Sequence, residues 1–410
     1  MNLSLFIYRK LKTNTDKSNI SSRIIKIAIF SVFIGIFVSL TAVSIGKGLQ
    51  FSIKEILFNI SSDITISSYE NNNRGIASEI INESEDVISK IKTLYPDIKI
   101  NSTIEKPSII KINNSIETII FRGVKDQLSF KKFDQFIIDK LNDKPKILND
   151  IIISKSLLEK LNISIGNNIT LYFQTFENQK IPNIRYYRVY GVYETDFPNF
   201  DSNYIIGDIE SIQNLYKLNS NDVGAIELII DDKDLVMDIE NNLSYQDLFL
   251  NNNLTIVTIK DKYNNIFNWI SIFDFNILIV IVLMIIVAII SIIISMLTLI
   301  FERIKMIGIM SSMGADNKLL GKVFVYQGIN ILLRGIIPGN ILFIIVSFVQ
   351  NNYNILKLNP DDYYVDSIPF IVDPIYIISI NLVFVFFGII VLFVTFSSIT
   401  RFVPTININT

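Results

Sequence analysis

The chain has 410 residues, half of them hydrophobic, with 37 basic against 39 acidic side chains and a mean hydropathy of +0.42. That length and balance predict a membrane protein of more than one domain, and a net charge of −2 offers no bulk attraction to nucleic acid. Cys and His are both absent, which excludes disulfides, thiol nucleophiles, Ser–His triads and the usual zinc ligand sets.

Residues 1–26 are basic, with Arg9, Lys10, Lys12, Lys17, Arg23 and Lys26 against Asp16 alone. Residues 27–46 follow without a charge and, at about 1.5 Å per residue, span roughly one bilayer core. A signal peptide competes, because Ala42-Val43-Ser44 loosely fits a cleavage site. The run is longer than the usual apolar stretch of about 7–15 residues in such peptides, which favours an uncleaved first transmembrane helix.

Residues 47–270 change character: helical stretches alternate with β-rich ones, and turn clusters such as 71–75 intervene. A capped helix is expected over 154–161, strands over 169–173, 185–194 and 224–230, and a helix over 235–243. This predicts an α+β soluble domain inserted between the first two membrane helices. Three further apolar runs follow, over 271–300, 323–350 and 374–400. The second helix is expected to begin early, near 262–270, because the uncharged stretch 275–300 already exceeds a bilayer core. Arg334, in the third run, would cost roughly 2.5–3.5 kcal/mol at the bilayer centre. Its apolar neighbours outweigh that, and snorkelling toward the nearer face is the expected outcome. Residues 351–373 form an acidic loop, with Asp361, Asp362, Asp366 and Asp373 opposed by Lys357, and 401–410 a short tail. The distribution of basic residues places both termini and 301–322 in the cytoplasm, and 47–270 and 351–373 outside.

The stretch 301–322 is short and charged between two long apolar runs, so it is expected at a membrane face. Its front half reads as one helix, with Met306, Met310 and Met313 along one face and Glu302, Arg303 and Lys305 on the polar side. Gly314 can end that helix in a left-handed conformation, and Asp316 can cap the next. Two readings stand: a helix that docks an adaptable methionine face on a cytoplasmic partner, or a surface linker whose methionines pack on their own helices. No G-x-x-x-x-G-K-[ST] loop occurs, since Gly335-Ile-Ile-Pro-Gly339 lacks the lysine, so no nucleotide site of that kind is expected in the chain. Paired acids such as Asp231-Asp232 and Asp361-Asp362 read as solvated turns rather than calcium ligands.

Glu302-Arg303, Ile307-Gly308-Ile309 and Met313-Gly314-Ala315 resemble the coupling segment E-R-x-x-x-I-G-x-x-x-x-x-G-A of FtsX-like ABC-transporter permeases. Within 47–270, the stretch from Ile151-Ile152-Ile153-Ser154 to Thr170 resembles a segment of that family, and Gly191-Val192-Tyr193-Glu194-Thr195 with Asp201-Ser202-Asn203 is similar to a passage of its LolC/LolE branch, which in these proteins follows a strand ending like Arg122-Gly123-Val124. The loop Lys357-Leu358-Asn359-Pro360-Asp361-Asp362-Tyr363-Tyr364-Val365, then Ile368-Pro369, resembles that branch most specifically. A trace of its "basic residue, then Pro" ending persists in Arg401 to Pro404, without the usual tail after it.

The resemblance implies a helical membrane protein with four transmembrane helices and an inserted α+β extracytoplasmic domain of the MacB/FtsX-like kind, in a bacterial inner membrane. It implies a non-catalytic subunit, with ATP and magnesium held by a separate LolD-like ATPase. Glu302, Arg303, Ile307, Gly308, Met310, Met313, Gly314 and Ala315 would form the contact with that ATPase. It further implies a second permease subunit, identical or not, together with acylated lipoproteins as cargo and a periplasmic carrier that receives them. MacB-like efflux and an FtsX-type scaffold that activates cell-wall hydrolases are the alternatives within the family.

Overall fold

Long unbroken apolar runs can satisfy their backbone in lipid only as helices, and alternating ones suit a sheet with one covered face. The computed structural model follows both rules over the residues it describes, 20–73, 78–83, 85–112, 115–125, 134–143, 148–173, 182–244 and 253–402. The basic residues up to Lys17, the end of the 71–75 turn cluster and the Pro404 ending lie outside them. In chain order the principal helices are α1 (Ile20–Ile60), α2 (Glu85–Leu94), α3 (Lys155–Lys160), α4 (Ile209–Tyr216), α5 (Val236–Ser244), α6 (Asn264–Glu302), α7 (Ile304–Ser312), α8 (Asn317–Tyr353) and α9 (Pro374–Phe402). The strands are β1 (Ile64–Ser68), β2 (Ile81–Asn82), β3 (Lys99–Ile112), β4 (Ser115–Val124), β5 (Ile137–Lys140), β6 (Asp150–Ser154), β7 (Asn168–Phe173), β8 (Asn183–Tyr193), β9 (Tyr204–Asp208), β10 (Asp222–Val223), β11 (Ala225–Ile229) and β12 (Leu254–Thr258). Two compact units result. One takes the chain up to Phe51, Trp269–Lys357 and the chain from Ser367 on; the other is Ser52–Asn268 with Leu358–Asp366.

In the helical unit, α1, α6, α8 and α9 are, among the described residues, the helices long and apolar enough to cross a membrane. Their contacts are made where side chains are smallest. A Cβ on Gly335 of α8 would stand 2.6 Å from Val32 and 3.0 Å from the Ile29 carbonyl of α1; one turn on, a Cβ on Gly339 would meet Ile36 and the Phe33 carbonyl at 3.0 Å. The pair that lacks a phosphate-loop lysine is therefore a small-xxx-small notch into which α1 fits. Against α9, Gly328 receives Leu392, and Leu332 of α8 packs over Gly388. Asn340 and Asn381 exchange amide hydrogen bonds of 2.9 Å between the same two helices, an interaction worth about 1 kcal/mol in such surroundings. Arg334 is exposed on α8.

The second unit is built on a ten-stranded mixed sheet in the order β12-β1-β11-β3-β4-β9-β6-β8-β5, with β7 pairing to β3 and β8. One face carries Ile64, Ile66, Ile104, Phe121, Ile226 and Leu228 into the core, where Ile91 of α2, Leu157 of α3, Ile212 of α4 and Ile239 of α5 cover them. Side chains alternate along a strand, so Thr65, Glu105, Arg122 and Glu227 fall on the opposite face. There Thr65 stands opposite Glu227, and Glu105 opposite Arg122. The Arg122 guanidinium donates to Glu227 at 2.6 Å and to Glu105 at 3.4 Å, with all three side chains buried. Burial alone would lower the pKa of Arg122; the two carboxylates more than reverse this and raise it.

Local signals held well in this unit. Ser154 caps α3, accepting from the Leu157 N–H at 3.1 Å and donating to the Asp201 carbonyl. The expected strands at 169–173, 185–194 and 224–230 correspond to β7, β8 and β11, and the expected helix at 235–243 to α5. The long β3–β4 hairpin, paired from Thr103–Val124 to Ile112–Ser115, was not anticipated.

Candidate functional site

The stretch 301–322 is organised by two backbone interruptions. Helix α6 ends at Glu302, and the Arg303 N–H divides between the Leu299 and Ile300 carbonyls, 3.2 Å from each. Helix α7 starts at once, its first turn closed by Ile307 N–H to the Arg303 carbonyl at 2.9 Å. At its other end Gly314 has φ +87°, and the Ala315 N–H reaches back to the Met310 carbonyl at 3.0 Å. That is the six-residue closure of a Schellman motif, which needs a residue tolerant of the left-handed region. Asp316 takes the N-cap position of α8, its carbonyl accepting from Leu319 at 2.8 Å.

The two faces of α7 differ from the methionine stripe expected from the sequence. Ile307, 1% exposed, and half-buried Met310 pack on the cluster that includes Leu320 and Phe324. Met306 is also half-buried, whereas Met313 lies one residue past the helix and is 82% exposed. The outward apolar pair is thus Ile309, 63% exposed, with Met313 four residues on. Lys305 and Ser312 are exposed beside them, Glu302 is exposed at the end of α6, and Arg303 is half-buried. Gly308 has open space where a Cβ would stand. So the expected contact residues divide: Ile307 and Met310 anchor α7, Gly314 and Ala315 close it, and Glu302, Gly308 and Met313 present a surface. Sequence periodicity missed Ile309, whose place four residues before Met313 was the available signal.

In the second unit the quoted pieces serve the scaffold. Asp201 accepts from the Thr195 N–H at 3.0 Å and its hydroxyl at 2.6 Å, tying the turn after β8 to the approach of β9. At Gly123 a Cβ would stand 2.9 Å from the Ile209 Cα, so that residue permits the close approach of α4 to the end of β4. No group of three or more acidic side chains able to hold a metal ion occurs among the described residues.

Comparison with known proteins agrees with this division. Residues 27–244 match the model of the MacB-like periplasmic core domain, and 278–404 that of the FtsX-like permease C-terminal region, which includes 301–322. The chain is 25% identical over 391 residues to the lipoprotein-releasing system transmembrane protein LolC of Buchnera aphidicola, covering 93% of this chain and 92% of that protein. It is 20% identical over 395 residues to the corresponding LolE of Haemophilus influenzae, covering 90% of each. Among solved structures, the periplasmic region of MacB from Actinobacillus actinomycetemcomitans aligns with 48% of this chain and 97% of its own, at 16% identity and a TM-score of 0.30. With one family model spanning more than half of the chain and another covering its last three apolar runs, the protein belongs to the FtsX-like permeases of ABC transporters that carry a MacB-like periplasmic core domain.

Proposed function

We propose that this chain is the permease subunit through which a separate cytoplasmic ATPase drives release of acylated lipoproteins from the inner membrane to a periplasmic carrier. ATP and magnesium are held by the ATPase, and α7 rests on it through Ile309, Met313, Gly308 and Glu302. The observation that carries the reading is the construction of 301–322: a helix break at Arg303, a nine-residue helix anchored by Ile307, and a glycine-closed end, set between two membrane-length helices. A segment so anchored moves as one piece with the start of α8. Helix α6, unbroken from Asn264 to Glu302, carries that movement along its length. In this reading both termini lie in the cytoplasm, and the sheet unit lies in the periplasm beside a second permease subunit, identical or not.

The lipoprotein part of the proposal draws support from the names of the relatives, which match along about nine-tenths of the chain. Its test has two parts. The double substitution Glu302→Lys with Arg303→Glu should abolish co-purification with the ATPase while membrane insertion stays intact; unchanged co-purification refutes the contact. In proteoliposomes the reconstituted complex should release an acylated lipoprotein to a soluble carrier only with ATP. Export of a macrolide without lipoprotein release would instead favour the efflux reading, which the match to the MacB-like core domain keeps in view.

A further inference from the structure

The polar face of the ten-stranded sheet lines a cavity of about 670 Å³ within the second unit. This lies inside the range of roughly 300–1,000 Å³ found for small-ligand sites. Thr65, Thr103, Glu105 and Glu227 line its sheet side, and the rings of Phe197, Tyr204 and Tyr263 stand around it. Asp261 and Lys262 complete the charged lining; with Arg122 behind the two glutamates counted, three acidic side chains stand against two basic ones, a surplus of one negative charge. Arg122 is not part of the lining. It sits in the sheet and grips both glutamates, while the Thr103 hydroxyl donates to Glu227 at 3.2 Å. The carboxylates are therefore fixed in place, and their orientation costs nothing when a ligand arrives.

Fixed carboxylates with a surplus of negative charge, flanked by aromatic residues, have the chemistry that recognises an organic cation. Among the described residues no three acidic side chains are placed to hold a metal ion, and aromatic rings stand where a bare ion would need further oxygen ligands. We infer that this cavity is a binding site for an aliphatic primary ammonium group, as carried by a free polyamine or by the lysine side chain of a peptide. Lys262 lines the same cavity as Glu105 and Glu227, its Nζ 5.8 Å from the Tyr263 ring centre, so its positive charge competes with that of an incoming ammonium.

That competition makes the inference testable in both directions. Calorimetric titration of the full-length chain in detergent would use cadaverine, a short peptide with one lysine, and the same peptide with norleucine at that position. Wild-type protein should bind cadaverine or the lysine peptide and not the norleucine peptide, and the tighter of the two amines identifies the source of the group. Glu227→Gln should weaken binding at least tenfold. Lys262→Met removes a charge at the cavity surface, leaves the Arg122 network intact, and should strengthen binding about tenfold, the size expected for one like charge several ångströms away. The inference is overturned if the norleucine peptide binds as well as the lysine peptide, if no amine binds, or if Lys262→Met leaves affinity unchanged or lower. The last criterion decides the matter even if Glu227→Gln fails to fold.

Discussion

Substituting Arg122 with Met tests how the sheet unit is held together. The change keeps an unbranched side chain of similar length on β4 and removes the guanidinium that lies 2.6 Å from Glu227 and 3.4 Å from Glu105. Two carboxylates are then left buried without their cation. Breaking a buried ion pair from one side costs about 3–5 kcal/mol, far more than an exposed pair is worth. In a domain of this size each kcal/mol moves the melting temperature by roughly 2–4 °C, so a fall on the order of 10 °C is expected. Adding Glu105→Gln and Glu227→Gln to Arg122→Met should restore much of the loss, because neutral amides do not need the cation. Thermal unfolding of the full chain in detergent, with hydrogen exchange read on β3, β4 and β11, measures all of this. A loss below about 1 kcal/mol for the single substitution, or no recovery in the triple variant, would show that the network does not hold these strands.

Two glycines of 301–322 separate fold from contact. Gly314→Val places a β-branched residue at φ +87° and should destabilise the end of α7 by at least 1–2 kcal/mol, read as faster proteolysis at 313–316. Gly308→Leu fills open space, should leave membrane insertion and melting temperature unchanged or slightly raised, and should nonetheless weaken ATPase co-purification more than tenfold; normal co-purification would place the contact elsewhere. Gly335→Leu drives a side chain into Val32 and the Ile29 carbonyl and should separate α1 from α8, seen as loss of a disulfide engineered between them. Burial pushes the Asp201 and Asp208 carboxyls up to about 6 from the ordinary 3.8, against the opposing hydrogen bonds from Thr195 and Glu210. Between roughly pH 4 and 6 the folded chain then holds protons that the unfolded chain has released, so stability falls as pH rises through that window and levels above it. Asp201→Asn should flatten that slope by up to about 1.4 kcal/mol per pH unit, and an unchanged slope in chemical denaturation refutes the assignment.

What the sequence revealed and what it hid divide by range of interaction. Ser154 before α3 and Gly314 after α7 act on backbone groups within a turn, so residue type and spacing were enough to read them. The four membrane-length helices follow from local apolar content in the same way. The methionine stripe misled because a 3.6-residue period assumes one uninterrupted helix. The helix end at Ser312 leaves Met313 past the last turn, and packing half-buries Met306 and Met310 while Ile309 stays outward. The charged sheet face lay further out of reach. Ile104-Glu105, Phe121-Arg122 and Ile226-Glu227 each show strand alternation, but nothing local says that these acids share one guanidinium. Arg122 meets Glu105 across 17 residues and Glu227 across 105, so only the strand order joins them. Gly335 and Gly339 carry the same lesson: the missing lysine excluded a phosphate loop there, and only the partner helix shows why neither position has a side chain. In this chain local chemistry sets where elements begin and end, while the residues that join elements acquire their meaning from strand order and helix pairing.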